Sequence, residues 1–369
     1  MKYLWIALAA GGLISGCSVE NKTEVSQQVE ESSLSAVMLN TQTRAPVAKK
    51  VPHELTAHSV TRNDNYYWMR DDSRTDKEIL AHLDEENSYV ETVLAPLKGN
   101  REALYEELVS RIEKDDSTVP VFDNGYWYYT RYSGENEYPI YLRKPTLEAE
   151  PSVLLDANIM SEGHDYFSIG SYAISSDNKL LAYSEDTLSR RIYTIFVKDL
   201  ESGDKLNDVL EGTSGRVVWA NDNTHLFYVK KDPQTLLGYQ VYRHKLGTAQ
   251  SDDTLIYEES DPTFYTYISK SKDSRVIYIH HNNTDKTGVT LVDANDPTAS
   301  TEVFLPLKDG QEYSVAKAED GYYVLTNIDA KNFRIMKAPL DGFSDVSTWQ
   351  EVVAHRSNVF LQNIEVFKN

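Results

Sequence analysis

One short word, repeated five times, constrains the fold of this chain more than any other feature: a polar turn followed at once by an aromatic or aliphatic strand. It reads Asp123-Asn124-Gly125-Tyr126-Trp127-Tyr128-Tyr129 and then Ser176-Asp177-Asn178-Lys179-Leu180-Leu181-Ala182-Tyr183. It returns at Asn221 to Tyr228, at Lys272 to Tyr278 and at Glu319 to Leu325, with strand centres about 45 to 55 residues apart. A second strand follows each copy: Pro139 to Arg143, Ile192 to Lys198, Gln240 to His244, Val289 to Val292 and Phe333 to Lys337. The Asp, Asn and Gly corners have a mechanical role. They tolerate the left-handed backbone that a tight hairpin requires, and their side chains bond the turn amides. Strand, tight turn, strand, turn at this period is the pattern of four-stranded propeller blades. A β-sandwich also spaces its strands with regular turns, but five repetitions of one two-strand word favour the propeller. The 25 tyrosines suit it, because tyrosine favours half-buried pleated surfaces. Five blades are legible, and Asn358 to Phe367 reads as the opening of a sixth.

Residues 1–17 have the form of an export signal. Lys2 supplies a positive start, and Tyr3 to Ile14 is an apolar run too short for a comfortable membrane span of roughly 20 residues. The run ends in Leu13-Ile14-Ser15-Gly16-Cys17, similar to a bacterial lipobox, in which the cysteine thiol receives a lipid. Cys17 is the one cysteine of the chain, so lipidation is its expected role and no intramolecular disulfide is available. Residues 18–44 are rich in Ser, Glu, Gln and Thr and read as a flexible tether. Ser18 follows the cysteine, where aspartate would signal inner-membrane retention, so the expected location is the periplasmic face of the outer membrane.

Residues 45–114 read differently. Thr75-Asp76-Lys77-Glu78 has the form of a capping box with Thr75 as N-cap. Ile79, Leu80, Leu83, Val90, Val93 and Leu94 follow at helical spacing, and Pro96 and Gly99 end that helix. Asn100 can cap a second helix that carries Leu104, Leu108 and Ile112 on one face. Two such helices need a partner surface. Upstream stand Pro52-His53 and Asp64-Asn65-Tyr66-Tyr67-Trp68-Met69-Arg70-Asp71-Asp72, with Glu86-Asn87-Ser88-Tyr89 beyond. These strings, together with Asp115 to Pro120 and Glu137-Tyr138-Pro139-Ile140-Tyr141, resemble the N-terminal signature of the prolyl oligopeptidase family, its oligopeptidase B branch best.

The resemblance implies a mainly β chain: an incomplete seven-bladed β-propeller over residues 115–369, preceded by a helical segment that belongs to an α/β-hydrolase domain. It also implies a serine peptidase that cleaves short peptides after Lys or Arg. The propeller would sieve the substrates, and the catalytic Ser, Asp and His would lie downstream of Asn369.

The residues themselves offer little chemistry. No Gly-x-Ser-x-Gly element occurs, and Gly212-Thr213-Ser214-Gly215 reads as a turn between strands. His53 and His58 belong to the signature. His280 and His281, adjacent in a strand, would face opposite sides and suit no shared metal. Asp293-Ala294-Asn295-Asp296 lacks the glycine and closing glutamate of a calcium loop and reads as a turn. No cofactor or metal is expected. The formal charge of −20 argues against a nucleic-acid partner and suits cationic peptides. A reading from another class is a membrane-tethered, non-catalytic propeller acting as a binding module, or a pseudoenzyme. An open ring would expose blade edges, which aggregate.

Overall fold

The computed structural model describes residues 43–134 and 136–367. Cys17 and residues 18–42 of the expected tether lie outside the described residues. The described residues divide into two compact units, with the boundary between Arg111 and Ile112.

In the first unit, β1 (Glu54–Ala57) and β2 (Val60–Asn63) form a hairpin that turns at His58 and Ser59, both left-handed, with φ of 52° and 62°. The signature residues hold one another. His53 stacks on Tyr67 with ring centroids 4.0 Å apart, and the Trp68 indole donates to Lys49 O at 2.9 Å. Two helices follow, α1 (Lys77–Leu94) and α2 (Lys98–Ser110), joined by a 3-10 turn over Ala95–Leu97.

Three local expectations are corrected here. The N-cap of α1 is Asp76, whose carboxylate accepts from the Glu78 and Ile79 amides at 2.8 and 3.2 Å. Thr75 instead shares a hydroxyl bond with Ser73, and its amide is taken by Asp71. Pro96 and Gly99 do not open a gap. Proline at the start of a helical turn loses no hydrogen bond, so α2 starts before Gly99, with Asn100 inside it and Ile112 beyond its end. The apolar faces stay open to solvent: Leu80, Leu83, Val90, Leu104 and Leu108 are 43% to 52% exposed.

The second unit is built of antiparallel strands in chain order. The first sheet holds β3 (Val121–Asp123), β4 (Tyr126–Arg131), β5 (Ile140–Lys144) and β6 (Ser152–Asp156), followed by a one-turn helix α3 (Ala157–Met160). A seven-stranded sheet comes next: β7 (Ser168–Ile174), β8 (Leu180–Asp186), β9 (Tyr193–Asp199), β10 (Lys205–Trp219), β11 (His225–Lys231), β12 (Gly238–Lys245) and β13 (Thr254–Glu258). Two four-stranded sheets complete it. One holds β14 (Tyr265–Lys270), β15 (Val276–Asn282), β16 (Thr287–Asp293) and β17 (Glu302–Val303). The other holds β18 (Tyr313–Ala318), β19 (Gly321–Thr326), β20 (Arg334–Ala338) and β21 (Gln350–Val353).

The Gly212 to Gly215 segment is not a turn between strands. It lies inside β10, where the register shifts. The first part of β10 pairs with β9 through Val209–Phe196 and Leu210–Ile195, the second with β11 through Val217–Tyr228 and Trp219–Leu226. Gly212 and Gly215 have φ of 71° and 88°, and a Cβ on Gly215 would stand 2.8 Å from the Tyr193 ring. Glycine is required on both counts, and the strand passes from one partner to the next without breaking. Divided at this bulge, the long sheet is two four-stranded runs sharing one strand. Run one is β3–β6, run two β7 to the first half of β10, run three the second half of β10 to β13, run four β14–β17 and run five β18–β21.

The strands need two apolar faces because the runs pack face to face in succession. Leu181 and Tyr183 of β8 meet Leu154 and Leu155 of run one, while Ala182 between them faces Leu226 and Tyr228 of run three. In β11, Phe227 and Val229 turn the other way, onto Ile277 and Ile279 of run four. In β15, Val276 and Tyr278 face Tyr313, Val315 and Tyr322 of run five. A strand covered on both sides reads as a continuous apolar run rather than an alternation. That is why Leu226-Phe227-Tyr228-Val229 carries no period of two.

The repeated turns form a second connection. Asn124, Asn178, Asn223 and Ser274 occupy the left-handed region at equivalent corners. Asn124 Nδ2 donates to Ser176 O (2.9 Å), Ser176 Oγ to Asn223 Oδ1 (2.7 Å) and Asn221 Nδ2 to Ser274 O (2.8 Å). Asp273 then pairs with Lys317 at 3.5 Å. The first four runs are thus tied corner to corner, and the corner of the fourth is tied to β18 of the fifth. Residues 358–367, expected to open a sixth blade, contain no strand. Val359 makes an isolated bridge with Arg356, Leu361 N donates to Asn332 O and Phe360 meets Phe333 edge-on.

Candidate functional site

The first strand of a run has a neighbour on one side only, so its outer edge carries unpaired backbone groups. These edges gather along one surface, and side chains from adjacent runs cap them. Ser171 Oγ of β7 donates to Gly215 O (2.7 Å), and the Trp219 indole of β10 donates to Ala173 O (3.0 Å). Lys270 Nζ of β14 donates to Trp219 O (2.9 Å) and Asn221 Oδ1 (2.6 Å), while Arg216 Nη1 reaches Ile268 O at 3.4 Å. Burial pushes the Lys270 amine down to about 8, while the charge of Asp123, in run one, acts in the opposite sense. A carboxylate of the first run is therefore felt by an amine of the fourth.

Two features of this surface face solvent. A cleft of about 580 Å³ lies between β3, β4 and β7, lined by Thr118, Val121, Asp123, Tyr129 and Tyr172. Further along, Tyr265 and Tyr267 are 62% and 40% exposed, unlike the core tyrosines of the second strands. The Arg216 guanidinium stands 5.8 Å from the Tyr267 ring, which stacks on His280 at 4.5 Å.

His280 Nε2 lies 2.8 Å from Ser269 Oγ, a serine–histidine pair that sequence reasoning missed. The strand register carries it: Tyr267 pairs with His280 and Ser269 with Tyr278, which places Ser269 diagonally from His280. Burial, aided by the charge of Arg216, holds His280 down at about 4, so the imidazole is neutral and a weak base. Among the described residues no carboxylate orients it, and a poor base without an orienting acid does not activate a hydroxyl. The pair is structural. His281 faces the other side, stacked on Tyr257 at 4.9 Å and packed onto Gly288. The Asp293 and Asp296 carboxylates accept from the Asn295 and Thr298 amides within their own turns. Among the described residues no three His, Cys, Asp or Glu side chains converge as a metal site.

Comparison with known proteins gives the family. Residues 46–369 match the family model described as "Prolyl oligopeptidase, N-terminal beta-propeller domain". The chain belongs to the prolyl oligopeptidase family. Its similarity to dipeptidyl aminopeptidase BI of Pseudoxanthomonas mexicana is 42% identity over 339 residues, covering 87% of this chain and 46% of that protein. Protease 2 of Moraxella lacunata is 32% identical, with 88% and 48% covered. The structure of oligopeptidase B from Leishmania major superposes with a TM-score of 0.81 at 31% identity, covering 87% of this chain and 47% of that one. The chain spans about half the length of the curated relatives it matches. In this prolyl oligopeptidase family member, then, the mainly β second unit is the propeller-like part.

Proposed function

We propose that the chain is the substrate-gating part of a serine oligopeptidase. Its five runs are five blades of a seven-bladed ring. The ring is completed, and the α/β-hydrolase domain with its catalytic Ser, Asp and His is supplied, by sequence beyond Asn369. That hydrolase covers the open apolar faces of α1 and α2. The enzyme cleaves short peptides after Lys or Arg by acyl transfer to serine and then to water. The lipid on Cys17 and the tether of residues 18–44 hold it at the periplasmic face of the outer membrane.

The observation that carries this reading is the set of inner strand edges closed by side chains of adjacent runs, in a chain whose residues 46–369 match the family's propeller. A surface so protected leaves a lined passage rather than a sticky edge. The acidic chain would draw cationic substrates along it.

The test is hydrolysis of a dibasic fluorogenic peptide by the intact protein. Cleavage after the basic residue, with kcat/KM falling as salt rises from about 0.01 M to about 0.5 M, is expected, because screening shortens the reach of the field. Absence of hydrolysis would overturn the peptidase reading. Hydrolysis indifferent to salt would overturn the steering alone. Cys17→Ala should move the protein from the membrane to the soluble fraction, and its retention there would remove the anchor.

A further inference from the structure

Runs two and three are joined more tightly than any other neighbours. They share β10, whereas residues 157–167, 259–264 and 304–312 link the other runs without a common strand. At the outer end of the shared strand, run three closes over run two with polar groups. Gln250 exchanges two hydrogen bonds with the Glu211 backbone, at 3.0 and 3.1 Å. The Gly247 amide donates to Asp208 Oδ1 at 2.6 Å.

At the centre of this closure lies His244. Its ring is fully buried, with Nδ1 2.6 Å from Asp253 Oδ1 and Nε2 3.0 Å from Asp208 Oδ1. Both partners are carboxylates, which only accept when ionised, so both ring nitrogens must carry hydrogen and the imidazole is charged. The buried Leu226 of β11 lies directly across the strands from it, and a pair of tyrosines stands beside it. The Tyr228 hydroxyl of β11 donates to Asp253 Oδ2 (2.8 Å), Tyr242 stacks on Tyr228, and Lys230 stands over Tyr242 at 5.7 Å. Burial opposes the charge on His244. The hydrogen bonds and fields of Asp253 and Asp208 outweigh it and raise its pKa above the ordinary histidine range.

We propose that runs two and three move as one rigid block, and that the imidazolium of His244, clamped between Asp208 and Asp253, is the lock of that block. The neutral ring offers one N–H to two carboxylates. One of them then faces a lone pair, and two like charges share a dry pocket, so the clasp opens. A folded pKa above the unfolded one means that this stabilisation is complete below the ordinary histidine pKa and is lost as pH rises through the folded value.

Hydrogen exchange on the intact protein tests this, with protection corrected for intrinsic rates. Between about pH 6 and about pH 9.5, residues 205–212 and 245–253 should lose protection on the order of a hundredfold, while residues 276–293 keep theirs. Asp253→Asn should abolish that dependence. Its amide can donate to Nδ1 of a neutral ring and still accept from Tyr228, leaving Nε2–H for Asp208. A wild-type clasp indifferent to pH would overturn the proposal without recourse to any variant. So would an Asp253→Asn protein as pH-sensitive as the wild type.

Discussion

Single residues set the pH behaviour and the tolerance of the fold. His280 is held at about 4, below the ordinary 6.5, chiefly by burial. The unfolded chain therefore takes up this proton first. The stability linked to the neutral ring is complete above about pH 6.5 and is lost as pH falls towards about 4, a difference of about 3 kcal/mol. Urea titrations of the wild type and of His280→Gln should diverge over that window, the variant losing less on acidification. Parallel curves would contradict the argument. Gly288 poses a steric test. A Cβ there would lie 1.9 Å from His281 Cε1, in a ring already fixed by Tyr257. Gly288→Ala should cost about 1–3 kcal/mol by urea midpoint, although its strand position alone would suggest a gain. Neither feature could be read from the chain. His280 and His281 were expected on opposite faces, and they are. That one would be a neutral partner of Ser269 and the other would sit on a glycine depends on cross-strand register, which no local pattern specifies.

Elements were legible wherever the polar corner and the apolar run coincided. All five aromatic words are strands, β4, β8, β11, β15 and β19, and the run after each is its hairpin partner. Legibility failed where one local signal had two readings. Gly212 and Gly215 looked like a turn, and they are instead the bulge that lets β10 serve two runs. Thr75 fitted the capping box, but Asp76, one residue on, bonds two amides. Asp76→Ala should therefore cost about 1 kcal/mol of stability in the first unit, and Thr75→Ala much less, as urea or thermal melts would show. The reverse order would restore the capping box. The corner bonds make an element-scale prediction as well. Asn221 joins Ser274, Asn295 and Lys270 at 2.6 to 2.8 Å. Asn221→Ala should cost about 1–3 kcal/mol and loosen run four against run three in hydrogen exchange. An unchanged exchange pattern would show the corners to be ornamental.

At the scale of the molecule, successive sheets share apolar clusters, so no sheet has an independent core and the second unit holds together only as a sequence of neighbours. A period near fifty announces that arrangement before any coordinate is seen, because each unit buries its two faces against the units on either side. Closure is another matter. In the function proposed above it rests with sequence beyond Asn369, which also supplies the surface for α1 and α2. The function proposed above adds one claim at this scale, that the second unit is a perforated cover through which peptides pass and folded proteins do not.

That sieving is best measured by the dependence of hydrolysis on substrate size in the intact protein, using one Lys- or Arg-containing cleavage sequence. It would be presented in a short peptide, in a long unfolded chain and in an exposed loop of a folded protein. The account predicts efficient cleavage of the short peptide, slow cleavage of the long chain and none in the folded protein. Comparable rates for all three would contradict it, because a site reached equally by every substrate has no cover.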